Sequence, residues 1–338
     1  MKTSSAHLKT LPNYSLLMIV IATFVVLSFL ATGFATAGNV VVILRQASIY
    51  GVMVLGVTLV LAAGELDLAF PSIAAFASMM AAFLIHHGMS VELAAACAIA
   101  TGAAFGVVSG VLVTVFRFPS LISTIAVSGV ASSLALAWAK GQTIVIPANK
   151  TSLFYMLVWD NIGGVPIVFL GALLVFAVGT YVQNATVSGQ YIYALGDNRS
   201  AAEVAGIKGK RVILVLFIIS AFFAAVGGIL LMMVVQSGQP NLASSLFLDG
   251  FTMVFLGTMV FKLGKPNMLG TYVGAFMLAM LGDGLTILGM LSYVEDVIKG
   301  ALLIVGVVVF SYVKRRRVSG GKRLGGTQAP LLSSMRKA

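Results

Sequence analysis

The chain has 338 residues, of which 59% are hydrophobic and only 9% are charged, and its mean hydropathy is +1.06. A soluble domain carries about 25% charged residues, so this composition excludes that class and predicts an integral membrane protein. The formal net charge of +11 does not indicate nucleic-acid binding, because the basic residues stand in short loops and a tail rather than on one folded face.

Long apolar runs predict an all-α polytopic membrane protein with about ten transmembrane helices. A helix needs about 20 apolar residues to cross the hydrocarbon layer of a bilayer. The candidate spans are residues 15–34, 40–63, 68–87, 92–116, 119–139, 165–183, 212–236, 247–261, 268–288 and 293–313. The first run is too long for the apolar part of a signal peptide, so we expect it to be retained as a span. The weakest signals are the short run at 247–261 and the run at 40–63, which contains Arg45.

The basic residues predict the orientation of these spans. Lys and Arg in short loops concentrate on the cytoplasmic side of a membrane. If ten spans follow a cytoplasmic N-terminal segment (residues 1–14), 17 of the 21 basic residues fall on that side or in the tail. We therefore expect both termini in the cytoplasm, with one transmembrane domain at 15–313. The basic tail, 314–338, is rich in Gly and Ser, which predicts disorder, and we expect its start to lie against anionic membrane lipid.

Glycines at four-residue spacing predict close packing between helices. Gly102, Gly106 and Gly110 lie on one face of a candidate span, and Gly270 and Gly274 repeat the spacing once. Small residues let two helix backbones approach closely in a membrane. We expect this packing to occur within the chain, and a subunit interface is the alternative.

Residue types that carry catalysis are scarce. The chain has three histidines and one cysteine, Cys97, so the sequence predicts neither a metal site nor an enzyme. The nearest approach to a nucleotide-binding P-loop is at Gly264 and Lys265, where Pro266 stands in place of the hydroxyl that contacts magnesium. We therefore expect this chain to carry no cofactor of its own.

Acidic residues near the spans are candidates for a transport pathway. Glu65 and Asp67 lie between two spans, just before Phe70 and Pro71, and the proline interrupts the helical pattern. A carboxylate near lipid is costly unless it sits at the headgroup surface or lines a polar cavity. Two interpretations therefore stay equally open, a surface turn and a broken helix beside the pathway.

Four further polar residues lie near span ends. Asp249 and Asp283 are single acids for which we favour an interfacial position, with a packing or pathway role as the alternative. His86 and His87 fall at the outer end of the third span, where an interfacial loop is favoured over a substrate or ion contact.

A polar stretch between two spans reads QYIYALGDNRSAAEVAGIKGKR and predicts a short cytoplasmic helix. Ser200 and Glu203 have the spacing of a capping box, and Asp197 and Asn198 are also favoured N-caps. Gly206 is expected to end the helix, since glycine readily takes the left-handed conformation after a last turn. A helix of about two turns is not stable alone in water, so it must pack on something. An interfacial connector and a docking helix for another protein stay equally open.

This stretch carries a resemblance to a known family. YIYALGDNRSAAEVAGI resembles the cytoplasmic loop signature of permease subunits in the ribose/xylose/galactoside group, of branched-chain type, of bacterial ABC importers. The positions that match its Asn-x-x-Ala-Ala-x-x-x-Gly-Ile pattern are Asn198, Ala201, Ala202, Gly206 and Ile207.

Two further stretches resemble the same family. GELDLAFPS is similar to its Gly-Ile-Asp-Leu-Ser-Val-Gly-Ser, with agreement at Asp67, Leu68 and Ser72 and departures at Ala69 and Pro71. A later stretch is similar to its Gly-Gly-Lys-Gly and Gly-Thr-x-x-Gly-Ala region. The positions in agreement there are Gly264, Lys265, Gly270, Thr271, Gly274 and Ala275. The departures leave open a small sugar or polyol other than ribose.

The resemblance implies a permease subunit of an ABC importer in the bacterial plasma membrane. In that family two permease copies form the pathway, two ATPase subunits carry ATP and magnesium, and an extracytoplasmic solute-binding protein delivers a small sugar or polyol. The loop at about 185–211 would hold a coupling helix, residues 197–207, seated in a cleft of the ATPase subunit. The residues implied in that contact are Asp197, Asn198, Arg199, Ser200, Ala201, Ala202, Glu203, Gly206 and Ile207.

The alternative is an autonomous secondary transporter driven by an ion gradient, with Glu65, Asp67 or Asp283 as coupling residues. That class predicts paired or inward-facing acids deep in the spans, whereas the acids here cluster at the predicted span ends. A third class, a membrane-embedded enzyme, would require a set of catalytic groups centred on His or Cys.

Overall fold

The computed structural model describes residues 15–325, with side chains described for residues 16–313. The helices in this part of the chain are α1 (Ser15–Leu30), α2 (Ala37–Ala62), α3 (Phe70–His86), α4 (Val91–Thr114), α5 (Ser120–Ala139), α6 (Leu153–Trp159), α7 (Ile167–Ala185), α8 (Val187–Asp197), α9 (Arg199–Val204), α10 (Gly209–Val235), α11 (Leu246–Gly257), α12 (Met268–Ile287) and α13 (Ser292–Gly325). The strands are β1 (Ile144–Val145), β2 (Asn161–Ile162), β3 (Val165–Pro166) and β4 (Ser237–Gly238).

An apolar helix coincides with each of the ten predicted spans. Seven of them, namely α2, α4, α5, α7, α10, α12 and the part of α13 up to Val313, are long and apolar enough to cross a membrane. The other three, α1, α3 and α11, are apolar but shorter. With 12 residues, α11 is about 18 Å long, less than the roughly 30 Å of hydrocarbon in a bilayer. The predicted all-α polytopic class is confirmed.

The helix α10 lies at the centre of the fold, with α2, α3 and α4 packed around it. Its close contact with α4 depends on Gly102, Gly106 and Gly110. A Cβ at Gly106 would lie 2.5 Å from the carbonyl oxygen of Phe217, so only glycine allows this approach. On α12, Gly270 and Gly274 face the backbone of α11 in the same way. The predicted packing within the chain is therefore confirmed at both sets of glycines.

Non-helical segments precede both α3 and α11. The chain is irregular at 65–69 before α3 and turns through 239–245 before α11. Pro71 is tolerated at the start of α3 because the first N–H groups of a helix have no intrahelical acceptor. Just ahead of 239–245, β4 pairs antiparallel with β1, and β2 forms a hairpin with β3.

The last helix differs from the sequence-based expectation. The helix α13 continues to Gly325, so residues 314–325 are helical where the sequence predicts disorder. A helix that is already formed extends at little cost, because each further residue adds one backbone hydrogen bond. Residues 1–14 and 326–338, which belong to the predicted terminal segments, lie outside the described residues.

Candidate functional site

The predicted short polar helix is α9, and its start differs from the expected capping box. Asn198 is the N-cap: its backbone is extended, and its Oδ1 accepts a hydrogen bond from the backbone N–H of Ala201 at 3.1 Å. The predicted capping box of Ser200 and Glu203 is wrong. The helix begins before Ser200, and the Glu203 carboxylate instead pairs with Arg199 at 3.3 Å. The alternative cap, Asn198, is the one that forms.

The end of α9 and its exposure fit a helix that faces outward. Gly206 follows the last turn with φ +86°, as the sequence predicts. Ala202 is the one buried residue of the helix. Val204, which the sequence analysis did not select, is 91% exposed. The sequence feature that could have identified Val204 is an apolar residue within an otherwise polar, capped helix.

Two ion pairs beside the N-terminal end of α9 tie this region to two different turns of the helix bundle, one through Arg199 and one through Asp197, the last residue of α8. Arg199 Nη1 donates to Glu65 Oε1 at 2.9 Å, in the turn that follows α2. Lys265 Nζ donates to Asp197 Oδ2 at 2.6 Å, in the turn that precedes α12. The structure thus brings Glu65, a candidate pathway residue, into the α9 region. Of the remaining predicted contact residues, Ile207 is half-buried behind the helix.

The helix α8 adds a third attachment to the same turn. The hydroxyl of Tyr193 donates a hydrogen bond to the carbonyl oxygen of Pro266 at 2.9 Å. Burial raises the pKa of Tyr193, so the hydroxyl keeps the proton that this bond needs. The positively charged Lys262 lies 4.5 Å from the centre of its ring.

A charged cavity of about 470 Å³ lies beside α9. Its walls come from the turn after α2, the turn between α4 and α5, α9 itself and the start of α10. The charged residues that line it are Glu65, Arg117, Arg199, Glu203 and Lys210. Both signs of charge are present, so this surface can form ion pairs with a partner of either sign.

Asp67 lies inside the protein rather than in a surface turn. Its side chain is buried and accepts hydrogen bonds from Ser220 Oγ at 2.6 Å and from the backbone N–H of Ala69 at 2.9 Å. Ser220 lies eleven residues after Gly209, the first residue of α10, which corresponds to about 16 Å along that helix. The surface-turn interpretation is therefore wrong for Asp67, which lies in an irregular segment inside the protein, and a place beside the pathway stays a prediction.

The same interruption brings the starts of α3 and α11 together. Phe70 is fully buried, and its ring meets Phe251 edge to face with a centroid distance of 6.0 Å. Gly250 lies directly against the ring of Phe70. The two short apolar helices thus meet beside the Asp67 segment.

The other two candidate acids, Asp249 and Asp283, pair with residues outside the Asp67 segment. The side chain of Asp249 is only 4% exposed and pairs with Lys299 Nζ at 2.7 Å, which also contacts Glu295 at 2.7 Å. The interfacial position favoured for Asp249 is therefore wrong, because a partner 50 residues later in the chain allows its burial. Asp283 is half-buried and accepts a hydrogen bond from Asn39 Nδ2 at 2.6 Å.

Within residues 15–325, no group of three His, Cys, Asp or Glu side chains is arranged to hold a metal ion. The apolar helices define a polytopic helical membrane protein, and α9 is exposed at its surface. Residues 39–307 match the family described as branched-chain amino acid transport system, permease component, and the chain belongs to this family.

Relatives of known name support the same class. The ribose import permease protein RbsC of Escherichia coli (strain K12) is 30% identical over 287 residues, which cover 84% of this chain and 89% of that protein. RbsC of Haemophilus influenzae is 26% identical over 307 residues, 90% of this chain and 94% of that protein. The L-arabinose ABC transporter permease protein AraH of Azospirillum brasilense is 27% identical over 302 residues, 89% of this chain and 88% of that protein. No solved structure matches the chain.

Membership of this family tests several of the predictions made from the sequence. The predicted class, a permease of an ABC importer, is confirmed, and so is its place in the bacterial inner membrane. Permease components are not themselves enzymes, as predicted. An ATPase and a substrate-binding protein are the partners that this family implies.

Proposed function

We propose that this chain forms the membrane pathway of an importer for a small sugar or polyol and that an ATPase subunit docks on α9. The observation that carries the docking proposal is the combination of exposure and attachment. All of α9 except Ala202 faces outward, yet its N-terminal end is tied to two turns of the bundle, by an ion pair of Arg199 and by one of Asp197 just before the helix.

The chain crosses the membrane ten times in this proposal, with the non-helical segments before α3 and α11 completing the two crossings of these shorter helices, and both termini lie in the cytoplasm. The distribution of the basic residues supports this orientation, since Lys208, Lys210 and Arg211 flank α9 on the same side as the basic tail. The tail would then lie near anionic lipid. The coupling loop comprises residues 185–211.

The ion pairs suggest how force passes from the ATPase to the spans. When ATP binding closes the ATPase subunits, a helix held in their cleft moves with them. Arg199 would then pull on the turn that leads into the Asp67 segment, and Asp197 would pull on the turn before α12. ATP and magnesium stay on the ATPase subunit. The resemblance implies a second permease copy and a solute-binding protein on the opposite face.

The relatives support the substrate class. RbsC is named for ribose and AraH for L-arabinose, both of which are five-carbon sugars. The departures at Ala69 and Pro71 lie in the segment next to Phe70, where they leave open a related sugar or polyol.

Val204→Asp tests the docking surface. The purified chain, in detergent or nanodiscs, is mixed with the ATPase subunit, and capture and ATP hydrolysis are measured. We expect the charge to abolish capture, because an apolar residue that is 91% exposed contributes little to the fold but occupies the centre of the contact. The matched control is Val145→Asp, on β1 at the opposite end of α10, where Val145 is 71% exposed.

Glu203→Arg and Gly206→Trp extend the same test to a charge and to the end of the helix. Retained capture in all three variants would contradict docking on α9. Sugar uptake by the chain alone, abolished by an ionophore and indifferent to these substitutions, would instead establish a secondary transporter in which Glu65 and Asp67 couple the ion.

A further inference from the structure

Three serine hydroxyls on α3 and α5 form a cluster that none of the above interactions uses. Ser72 Oγ lies 2.7 Å from Ser128 Oγ, and Ser132 Oγ donates to Ser72 Oγ at 2.9 Å. We call these three residues the serine cluster. All three side chains are only half-buried.

The hydrogen bonding of the serine cluster differs from that of other hydroxyls on α5. Thr124 donates to the carbonyl oxygen of Ser120 at 2.8 Å, and Ser123 donates to that of Pro119 at 3.1 Å. Such bonds to the preceding turn satisfy a hydroxyl in an apolar environment. The three cluster hydroxyls carry three hydrogens and make two bonds among themselves. One hydrogen and several lone pairs are therefore left for another molecule.

Two of the three cluster residues, Ser72 and Ser128, line an open cavity of about 390 Å³ that is formed where both non-helical segments end. Leu68, from the segment before α3, and Ser244, from the turn before α11, lie in its wall together with Ser72 and Ser128. Irregular backbone at membrane depth is tolerated where it is buried in protein or lines a water-filled cavity. This cavity gives both segments such a place.

The depth of the cavity fits a position inside the membrane. Asp67 meets Ser220 about 16 Å along α10, which is about 40 Å long. Ser72 follows Asp67 by five residues, in the first turn of α3. The serine cluster therefore lies about halfway between the two ends of α10.

We propose that the serine cluster is a contact site for the hydroxyl groups of a small neutral sugar on its path through the membrane. This inference rests on the proposed function and deepens it. No residue that lines the cavity is charged. A zwitterionic amino acid would leave its two charges unpaired there at high cost, whereas sugar hydroxyls can exchange hydrogen bonds with Ser72 and Ser128.

The first test asks whether water reaches the cluster. Cys97 is the only cysteine, so Cys97→Ala gives a cysteine-free background. Ser128→Cys is placed in it, with Ser133→Cys on the exposed surface of the same helix as the control. The importer, assembled with its ATPase in membrane vesicles, is treated with a positively charged thiosulfonate reagent. We expect Ser128→Cys to react about tenfold faster, because a thiol ionises readily only in contact with water.

Equal and slow reaction of the two cysteines would overturn the proposal, since lipid or a second copy of the chain would then cover the cavity.

The second test measures uptake of D-ribose and L-arabinose by the same vesicles, with the solute-binding protein supplied on the face opposite the ATPase. The combined Ser72→Ala and Ser128→Ala variant is expected to lose about tenfold in uptake rate while ATP hydrolysis is retained, because the sugar loses hydrogen-bond partners along its path. Ser123→Ala, whose hydroxyl bonds to its own helix, should transport normally. Normal uptake by the double variant would overturn the contact site and leave the proposed function standing. An importer without substitutions that hydrolyses ATP but takes up neither these two pentoses nor any other small sugar or polyol would overturn the proposed substrate class and with it the sugar contact.

Discussion

The ion pair between Asp249 and Lys299 and the ion pair between Glu65 and Arg199 use the same chemistry in two different settings. The first lies inside the bundle, where the side chains are 4% and 14% exposed. In the second, Glu65 is 14% and Arg199 42% exposed. Burial of both partners makes an unpaired charge costly in the first setting, whereas in the second water and salt reach the ion pair from the exposed side of Arg199. The interior pair therefore holds the fold, and the outer pair can be rearranged by a partner protein at little cost.

The largest expected effect comes from breaking the interior pair. Lys299→Ala leaves Asp249 buried without its partner, and we expect unfolding in detergent to become easier by about 3–5 kcal/mol. The combined Asp249→Leu and Lys299→Met variant should recover most of this loss, because no charge is left buried. Denaturation with increasing SDS measures both. A loss of less than about 1 kcal/mol in Lys299→Ala would show that water reaches Asp249 and would remove the contrast with the outer pair.

The hydrogen bond between Ser220 and Asp67 gives an intermediate effect. Ser220→Ala removes a donor to a buried carboxylate, and we expect a loss of about 1.5–3 kcal/mol in the same measurement. Ser123→Ala is the control, since its hydroxyl contacts only the backbone of its own helix. An equal effect of the two substitutions would mean that the Asp67 segment contributes no more to stability than an ordinary helix surface.

The end of α9 should respond more weakly. Gly206→Ala places a side chain at φ +86°, where it meets no atom within 4 Å but strains the backbone by about 1 kcal/mol. Gly129→Ala, in the middle of α5 and also without a neighbour within 4 Å, should instead stabilise the protein slightly. Thermal unfolding compares the two. A stabilising Gly206→Ala would show that the chain ends α9 by another conformation.

The smallest effect is expected for the outer pair. Arg199→Ala should lower the unfolding free energy by no more than about 1 kcal/mol, and this loss should shrink as salt is added. Capture of the ATPase subunit should nevertheless weaken, because Arg199 links α9 to the turn that bears Glu65. A loss above about 2 kcal/mol would place α9 among the elements that hold the fold and would contradict the comparison of the two pairs.

The ten apolar helices could be predicted from the sequence because hydropathy depends on local composition. The residues that pair with the acidic side chains could not be predicted in this way. Asp249 looks interfacial until Lys299, on another helix, is brought against it. The capping box at Ser200 does not form because two residues close together in sequence, Asn198 and Ser200, both suit an N-cap, and only backbone geometry decides between them.

The burial of Asp67 and the exposure of Val204 follow from the same limitation. The sequence predicts that both residues lie in polar segments between spans. Whether such a segment folds back into the bundle or stays outside depends on contacts such as that between Asp67 and Ser220, which come from distant parts of the chain.

Because Ala202 is the one buried residue of α9 and its ion pair through Arg199 is exposed, mutations elsewhere on this helix are screened weakly by the requirement to fold. Evolution can therefore alter residues 199–204 in step with a changing ATPase while the membrane helices stay as they are. The same freedom offers an engineering route. Grafting the exposed residues of α9 from one permease to another should change which ATPase subunit binds, while the transport path stays the same.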